Sequence, residues 1–283
     1  MFIFFIKMKF SSAIYRSKCR IVSIHTKWLM LSLTIKCINI NKSNLKLNNS
    51  FTSCNIFNLT MNSNIDNINN IDNIEKRYVL DTYEQIAEHF DKTRNNVWPP
   101  VKKFIEAMPQ GSLVADIGCG NGKNMYRKDC EFHGIDLCDK FVDICKDKNL
   151  NVVKGNCLEI PFSSNIYDYA ISIAVIHHLS TSEDRIKAVE ELIRITKKGG
   201  RILIYVWEHL TDKYDCQDVM IKWRLQKKYS SKKKDITVHR YYHLFNDNEL
   251  IDLIPKNKAK IIDYFNSYNN WIVEIEVLSN KIK

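Results

Sequence analysis

Apolar residues recur along this chain at two spacings, and the change from one to the other marks its elements. From Tyr78 onward, Val79, Tyr83, Ile86, Ala87 and Phe90 return at close to 3.6 residues, which predicts an amphipathic helix. A second helix is predicted over residues 101–108, opened by Pro99-Pro100 and closed by Pro109-Gln110-Gly111. Beyond it, short apolar runs at 113–117, 132–135, 151–153, 169–175 and 201–207 alternate with polar, helix-compatible stretches. That alternation predicts an α/β fold with a mainly parallel sheet. The helix after the fourth run should begin at a capping box, Ser180 with Glu183, ahead of Ile186, Val189, Leu192 and Ile193. It should end at Lys197-Lys198-Gly199-Gly200, where cations meet the negative end of the helix dipole and Gly suits a left-handed cap.

Composition alters this picture mainly at the N terminus. The 283 residues are 45% hydrophobic and 11% aromatic, enough for a core, which excludes collagen-like, low-complexity and wholly disordered chains. A net charge of +10 invites a nucleic-acid partner, but residues 1–65 hold nine of the 42 Lys and Arg and none of the 32 acids. The remainder is nearly neutral, so any basic surface on the folded part must be local. Residues 1–60 are therefore expected to be a basic extension outside the fold, with an organellar transit peptide as the alternative, and Met61 is a natural second start. Residues 61–77 read as an Asn-rich linker and 78–283 as the folded domain. The apolar runs at 1–6 and 28–35 stop at Lys7 and Lys36, well short of the roughly 20 residues a bilayer needs.

The nine Cys include no C-x-x-C pair, which argues against a zinc ribbon, a thioredoxin-type site or a disulfide scaffold; no metal site is expected. Cys119, Cys130, Cys138, Cys145, Cys157 and Cys216 read as buried small apolar side chains. Free thiols point to a reducing compartment. The cytoplasm is expected, with the nucleus as a second location and an organelle as the alternative.

The first strand runs into Asp116-Ile117-Gly118-Cys119-Gly120-Asn121-Gly122. Glycines at alternate positions allow a sharp turn and close approach to a ligand at the C-terminal edge of the sheet. A dinucleotide fingerprint would need a third Gly where Lys123 stands, so a pyrophosphate site is poorly supported. The second strand ends at Asp136, an acid placed to accept hydrogen bonds from ribose hydroxyls. A glycine loop and a ribose acid without a phosphate cradle suit S-adenosylmethionine.

The D-x-G-C-G-x-G loop with its following acid resembles a class I methyltransferase. Residues 78–99 (YVLDTYEQIAEHFDKTRNNVWP), the extended loop GCGNGK, the fourth strand YDYAISIAVIHHLST, the fifth ILIYVW and residues 240–250 (RYYHLFNDNEL) sharpen the likeness. Together they resemble the eukaryotic tRNA wobble-uridine methyltransferases that act on 5-carboxymethyluridine, including the methyltransferase domain of the human AlkB-like wobble enzyme. The resemblance implies a Rossmann-like, mainly parallel seven-stranded sheet with helices on both faces and S-adenosyl-L-methionine as cofactor. It places cofactor contacts at Asp116, Gly118, Cys119, Gly120, Gly122, Asp136, Asn156, Cys157 and Ala174. The family usually carries Asp at the position of Asn156, where Asn accepts an adenine amino hydrogen bond without charge assistance. Weaker cofactor binding is the expected result. A small zinc-binding activator subunit pairing along a sheet edge is a further implication, and no membrane partner is implied.

The reaction implied is methyl esterification of the wobble carboxymethyl group. A carboxylate of pKa near ~4 is already ionised at neutral pH, so alignment and desolvation matter more than a general base. Candidate catalytic residues are His177, after the fourth strand, as a carboxylate or base contact; Arg94, with Trp98 following it, closing from the N-terminal helices; and Arg240 with Tyr241, a cationic fork beside a stacking face. Tyr242 and His243 are assigned to the RNA, with the local basic cluster of Lys222, Arg224, Lys227, Lys228, Lys232, Lys233 and Lys234, interleaved with Trp223 and Tyr229. Two alternatives stay open: a class I methyltransferase acting on a small acid or quinone precursor, and a non-catalytic RNA-binding relative.

Overall fold

The computed structural model describes residues 74–226 and 235–278. A π-helical turn, Lys76–Leu80, leads into α1 (Asp81–Thr93), and α2 (Pro99–Glu106) follows with Pro in its first turn, where a missing N–H costs nothing. Then β1 (Leu113–Ile117), β2 (Glu131–Asp136), α3 (Asp139–Asp147), β3 (Val152–Lys154) and β4 (Tyr167–Ile173) alternate. A 3-10 turn at Ile176–His178 precedes α4 (Ser182–Ile195) and β5 (Thr196–Trp207). The chain ends in β6 (Asp218–Leu225), β7 (Ile236–His243), the short α5 (Glu249–Asp252), β8 (Ala259–Asn266) and β9 (Asn270–Val277).

Seven strands form one sheet in the order β3-β2-β1-β4-β5-β9-β8. The first five pair in parallel, and β9 runs antiparallel to both β5 and β8. The order reverses between β1 and β4, the crevice at which open α/β sheets take ligands. Strand alternation feeds both faces. Ile202, Ile204 and Val206 of β5 pack with Ala188, Val189 and Leu192 of α4, while Leu203 and Tyr205 pack with Val101, Phe104 and Ile105 of α2. The sheet is thus covered on both sides, as the family resemblance implies.

Two local expectations are corrected. The N-cap of α4 is Thr181, whose Oγ1 accepts from the Asp184 N–H at 3.1 Å. Ser180, one residue earlier, instead binds Glu75 through both its N–H and its hydroxyl. The Lys-Lys-Gly-Gly run does not cap the helix either. Helix α4 stops at Ile195 and β5 begins at once, so residues 197–200 bulge between the pairs Tyr167 with Thr196 and Tyr169 with Arg201. Gly199 supplies the positive φ (79°) that this bulge requires.

The sequence reading also lacks the β6–β7 hairpin, which stands apart from the main sheet. Helix α1 bridges to it: Ile86 packs with Trp223 and Leu225, while Ala87 packs with Cys138 and Phe141 around α3. These elements converge over the C-terminal ends of β1, β2 and β4.

Candidate functional site

A cavity of about 420 Å³ lies at that convergence. Its floor is the glycine loop. Gly118 (φ 74°) and Gly120 (φ 53°) adopt a conformation that side chains resist, and a Cβ on Gly118 would stand 2.5 Å from Val175 Cγ2. Asp136 closes one wall, its carboxylate accepting the N–H groups of Gly120 and Cys138 at 2.8 and 2.9 Å. Burial raises the pKa of Asp136 to about 6, against the pull of those two N–H groups. Each carboxylate oxygen retains acceptor capacity, as hydrogen bonds from ribose hydroxyls require.

Of the nine residues assigned to the cofactor, Gly118, Cys119, Gly120, Asp136, Asn156, Cys157 and Ala174 line the cavity. Ala174 holds φ 62°, and its N–H donates to the Tyr205 carbonyl at 2.8 Å, which turns the chain out of β4 toward the histidines. Asn156 Oδ1 already accepts the Leu158 N–H at 2.9 Å, so its free lone pair is the one left for a ligand.

Asp116 and Gly122 lie behind the cavity wall. Asp116 is fully buried with Oδ2 unpartnered among the described residues, and burial lifts its pKa to about 7 although Asn124 hydrogen-bonds it. Gly122 (φ 73°) serves packing: a Cβ there would collide with the Leu150 side chain and press on Cys145 Sγ at 3.1 Å. Among the six thiols, Cys119, Cys138 and Cys145 are buried, whereas Cys130, Cys157 and Cys216 are only partly so.

The opposite wall carries the charge. Arg240 is 6% exposed and lines the cavity, its guanidinium carbon 4.6 Å from the Trp223 ring centroid, 5.1 Å from Tyr242 and 5.9 Å from Tyr83. Among the described residues no carboxylate pairs with it, and its Nε has no partner. A buried cation framed by ring faces, with no carboxylate partner among the described residues, has the chemistry to take an anion. The exposed Arg94 also places its guanidinium carbon 4.8 Å from the Trp223 ring. Trp98 also lines the cavity, with Lys123 Nζ 4.7 Å from its ring.

His177 sits beside this group, fully enclosed. Its Nδ1 accepts the Trp207 N–H at 3.2 Å, and its Nε2 has no partner among the described residues. Burial holds its pKa well below the usual value, helped by the nearby Arg240 and His243 and opposed by a backbone hydrogen bond at Ala174. The ring is therefore neutral at physiological pH, and with Nδ1 accepting, the proton resides on Nε2. In this state His177 has a hydrogen-bond donor, Nε2–H, without a partner among the described residues.

The RYYH motif divides by strand alternation. Arg240 and Tyr242 face the cavity, while Tyr241 and His243 face away. The Tyr241 hydroxyl donates to Asp218 Oδ1 at 2.5 Å; His243 reaches Asp218 at 3.0 Å and Glu249 at 2.6 Å. The catalytic assignment of Tyr241 and the RNA assignment of His243 are thus corrected, because both side chains are committed to a network outside the site. Tyr242 is buried at the cavity wall, stacked on Trp207 with centroids 4.5 Å apart. Of the basic cluster, Lys222 and Arg224 project outward from β6 on either side of buried Trp223, and Arg224 pairs with Asp235 at 2.7 Å. Lys227, Lys228, Lys232, Lys233, Lys234 and Tyr229 lie outside the described residues.

The sequence reading missed the aromatic wall. Tyr83 and Phe90 read as helix periodicity, Trp223 as part of the basic cluster, and Trp207 as the end of a strand, yet all four line the cavity. A side chain serving both core and cavity carries no distinct signal in one sequence.

Comparison with known proteins places this geometry. Residues 115–204 match the methyltransferase-domain family. The chain is 37% identical over 224 residues to the tRNA (carboxymethyluridine(34)-5-O)-methyltransferase of Schizosaccharomyces pombe, covering 71% of this chain and 97% of that protein. It is 32% identical to the tRNA (carboxymethyluridine(34)-5-O)-methyltransferase alkbh8 of Xenopus tropicalis, covering 72% of this chain but only 41% of that longer protein. Among solved structures, the CcbJ methyltransferase from Streptomyces caelestis superposes with a TM-score of 0.55 at 12% identity, covering 69% of this chain and 97% of the other. S-adenosylmethionine-bound CalS10 from Micromonospora echinaspora, an amino pentose methyltransferase, gives 0.54 at 11% identity, covering 68% and 97%. At such identities the structures show the class I methyltransferase fold alone.

Proposed function

The chain belongs to the tRNA (carboxymethyluridine(34)-5-O)-methyltransferase family, and from that premise we propose that it methylates the carboxylate of 5-carboxymethyluridine at the wobble position of tRNA, giving the methyl ester. The observation that carries this reading is Arg240, a buried guanidinium facing the cavity without a carboxylate among the described residues to neutralise it. A negatively charged substrate group would complete it.

S-adenosylmethionine, when bound, supplies a methyl group on a positively charged sulfur, which keeps the bonding electrons as the methyl passes to a carboxylate oxygen. Gly118, Gly120, Asp136, Asn156 and Ala174 are the residues that would hold it, and they fit: the loop leaves no room for a Cβ at Gly118, and Asp136 keeps lone pairs at the wall. Arg240 would grip one carboxylate oxygen and orient the other, while His177 would add a neutral Nε2–H. Neither group needs to accept a proton, because the substrate is already an anion. The reaction consumes a negative and a positive charge together. Walls of Phe90, Trp207, Trp223 and Tyr242 therefore favour it by excluding the water that would stabilise the separated ions.

Lys222 and Arg94 are the exposed cations of the described residues that suit phosphates of an anticodon stem-loop. For the activator subunit, the support is the edge strand β3: three residues long, with Val153 exposed and Leu137 exposed beside it, it offers unpaired backbone and apolar surface for strand addition.

The test is nucleoside mass spectrometry on tRNA carrying 5-carboxymethyluridine, incubated with the chain, the activator subunit and S-adenosylmethionine. Appearance of the methyl ester at the wobble position is the expected result. Cofactor binding without any ester on this tRNA, but turnover of a small carboxylic acid, would replace this reading with the small-molecule one.

A further inference from the structure

We propose that Tyr83 and His178 are positioning residues that set the orientation of Arg240, through a hydrogen-bond chain running from the backbone of β7 to the guanidinium. The proposal rests on the carboxylate reading above. The chain begins at the Tyr241 carbonyl, 2.8 Å from His178 Nδ1. A carbonyl can only accept, so Nδ1 carries the proton of this ring. Burial lowers the pKa of His178 to about 3, against the pull of that carbonyl, so the ring has one proton and Nε2 is left bare.

The Tyr83 hydroxyl lies 2.9 Å from that Nε2 and must donate to it. A hydroxyl has one proton. Tyr83 therefore presents only lone pairs to its other neighbours, the Arg240 guanidinium NH1 at 3.4 Å and the Tyr242 hydroxyl. Each bond in the sequence is forced in direction by the one before it. NH1 is thereby directed toward Tyr83, and the remaining guanidinium donors are left for a ligand in the cavity.

Tyr83 comes from α1 and Arg240 from β7, so the chain also registers the N-terminal helix against the hairpin. The Tyr83 ring packs edge-on to His178 at 5.3 Å and to Phe90 at 6.0 Å, and it contributes to cavity shape as well as to hydrogen bonding. Tyr83→Phe keeps the ring and deletes only the hydroxyl, which separates the two contributions.

The experiment compares the wild type, Tyr83→Phe, His178→Phe and the double variant in complex with the activator subunit. It measures kcat and KM on tRNA bearing 5-carboxymethyluridine, and competition by tRNA bearing the neutral carbamoylmethyl analogue. Tyr83→Phe is expected to raise KM for the carboxylate substrate about tenfold, with inhibition by the neutral analogue and cofactor affinity unchanged and the melting temperature lowered by only a few degrees, as the loss of one buried hydrogen bond requires. The double variant should lose no more than the larger single loss, as members of one chain do. Equal weakening of carboxylate and neutral tRNA, or additive losses, would reduce Tyr83 to a packing residue and overturn the proposal. A wild-type complex that makes no ester overturns the functional reading itself, whereas an active wild type with an unaffected Tyr83→Phe overturns this proposal alone.

Discussion

Arg240 and Trp223 lie across the β6–β7 hairpin with the guanidinium carbon 4.6 Å from the indole centroid, and Trp223 is fixed from behind by its Nε1–H donating to His89 Nδ1 at 2.9 Å. The ring face lowers the cost of burying the cation without neutralising it. The charge is kept available at some expense in stability.

That relationship predicts a split between activity and stability. Arg240→Met fills similar volume and removes a buried, unpaired charge, so the melting temperature should stay level or rise. The same change removes a charge-assisted hydrogen bond to substrate, worth ~1.5–3 kcal/mol, and kcat/KM should fall roughly 10- to 100-fold. A collapse of the melting temperature with proportionate loss of activity would make Arg240 a structural residue.

His177 allows a complementary prediction. Because it is neutral with its proton on Nε2, kcat should show no ascending limb near pH 6.5. His177→Asn, which keeps a neutral donor, should retain more activity than His177→Phe. A rate that rises with the titration of a group of pKa 6 to 7 and loses this limb in both variants would make His177 the base.

Asp136 should make cofactor binding sensitive to pH. Burial raises its pKa to about 6, so in the ligand-free fold its contribution to stability is greatest when protonated and is lost as pH rises through 6. Ribose hydroxyls donate to the carboxylate, so ligand binding favours the ionised form and releases a proton below that pH. S-adenosylmethionine affinity should therefore be level above pH 7 and fall on the order of tenfold by pH 5, read by calorimetry in two buffers of different ionisation heat. A level profile across that range, with no proton release, would remove Asp136 from the ribose site.

The sequence displays the fold more fully than the site. Apolar runs and the Gly118–Gly122 loop define β1, β2, β4 and β5 within a few residues, because each strand is buried on both faces. The hairpin escapes because β6 mixes Lys222 and Arg224 with Trp223 and Leu225, and the charges dominate a linear reading. In RYYH the residue types point to chemistry, but only the register with β6 decides that Arg240 and Tyr242 turn inward while Tyr241 and His243 turn away. That Arg240 meets no carboxylate among the described residues is not legible in the sequence at all, since it depends on how the tertiary structure places them.

Gly122 should be as intolerant as Gly118, for a different reason. Its φ of 73° disfavours any side chain, and a Cβ would meet Leu150 and Cys145. Gly122→Ala should cost roughly 2–4 kcal/mol from strain and overpacking together, measured by urea unfolding. Restoring space with Leu150→Ala should recover part of that stability. No recovery in the double variant would place the whole penalty in the backbone.

The network behind the hairpin fixes the pH range in which the cavity wall is held. Burial acts to lower the pKa of His243, but hydrogen bonds to Asp218 and Glu249 outweigh it and the value is raised. Burial likewise acts to raise the two carboxyls, and the bonds from His243 outweigh it and hold both below their usual range. The stabilisation from charged His243 is present in full below pH 6.5 and is lost as pH rises through its higher folded value; that from the carboxylates is lost as pH falls through their depressed values. Thermal unfolding of wild type against His243→Phe should therefore differ most between about pH 5 and 6 and converge toward pH 9. Because β7 carries Arg240 three residues before His243, loosening this latch at high pH should also raise KM for the carboxylate substrate while cofactor affinity, set by the glycine loop across the cavity, stays level. A pH-independent difference in unfolding temperature would mean that His243 contributes packing alone.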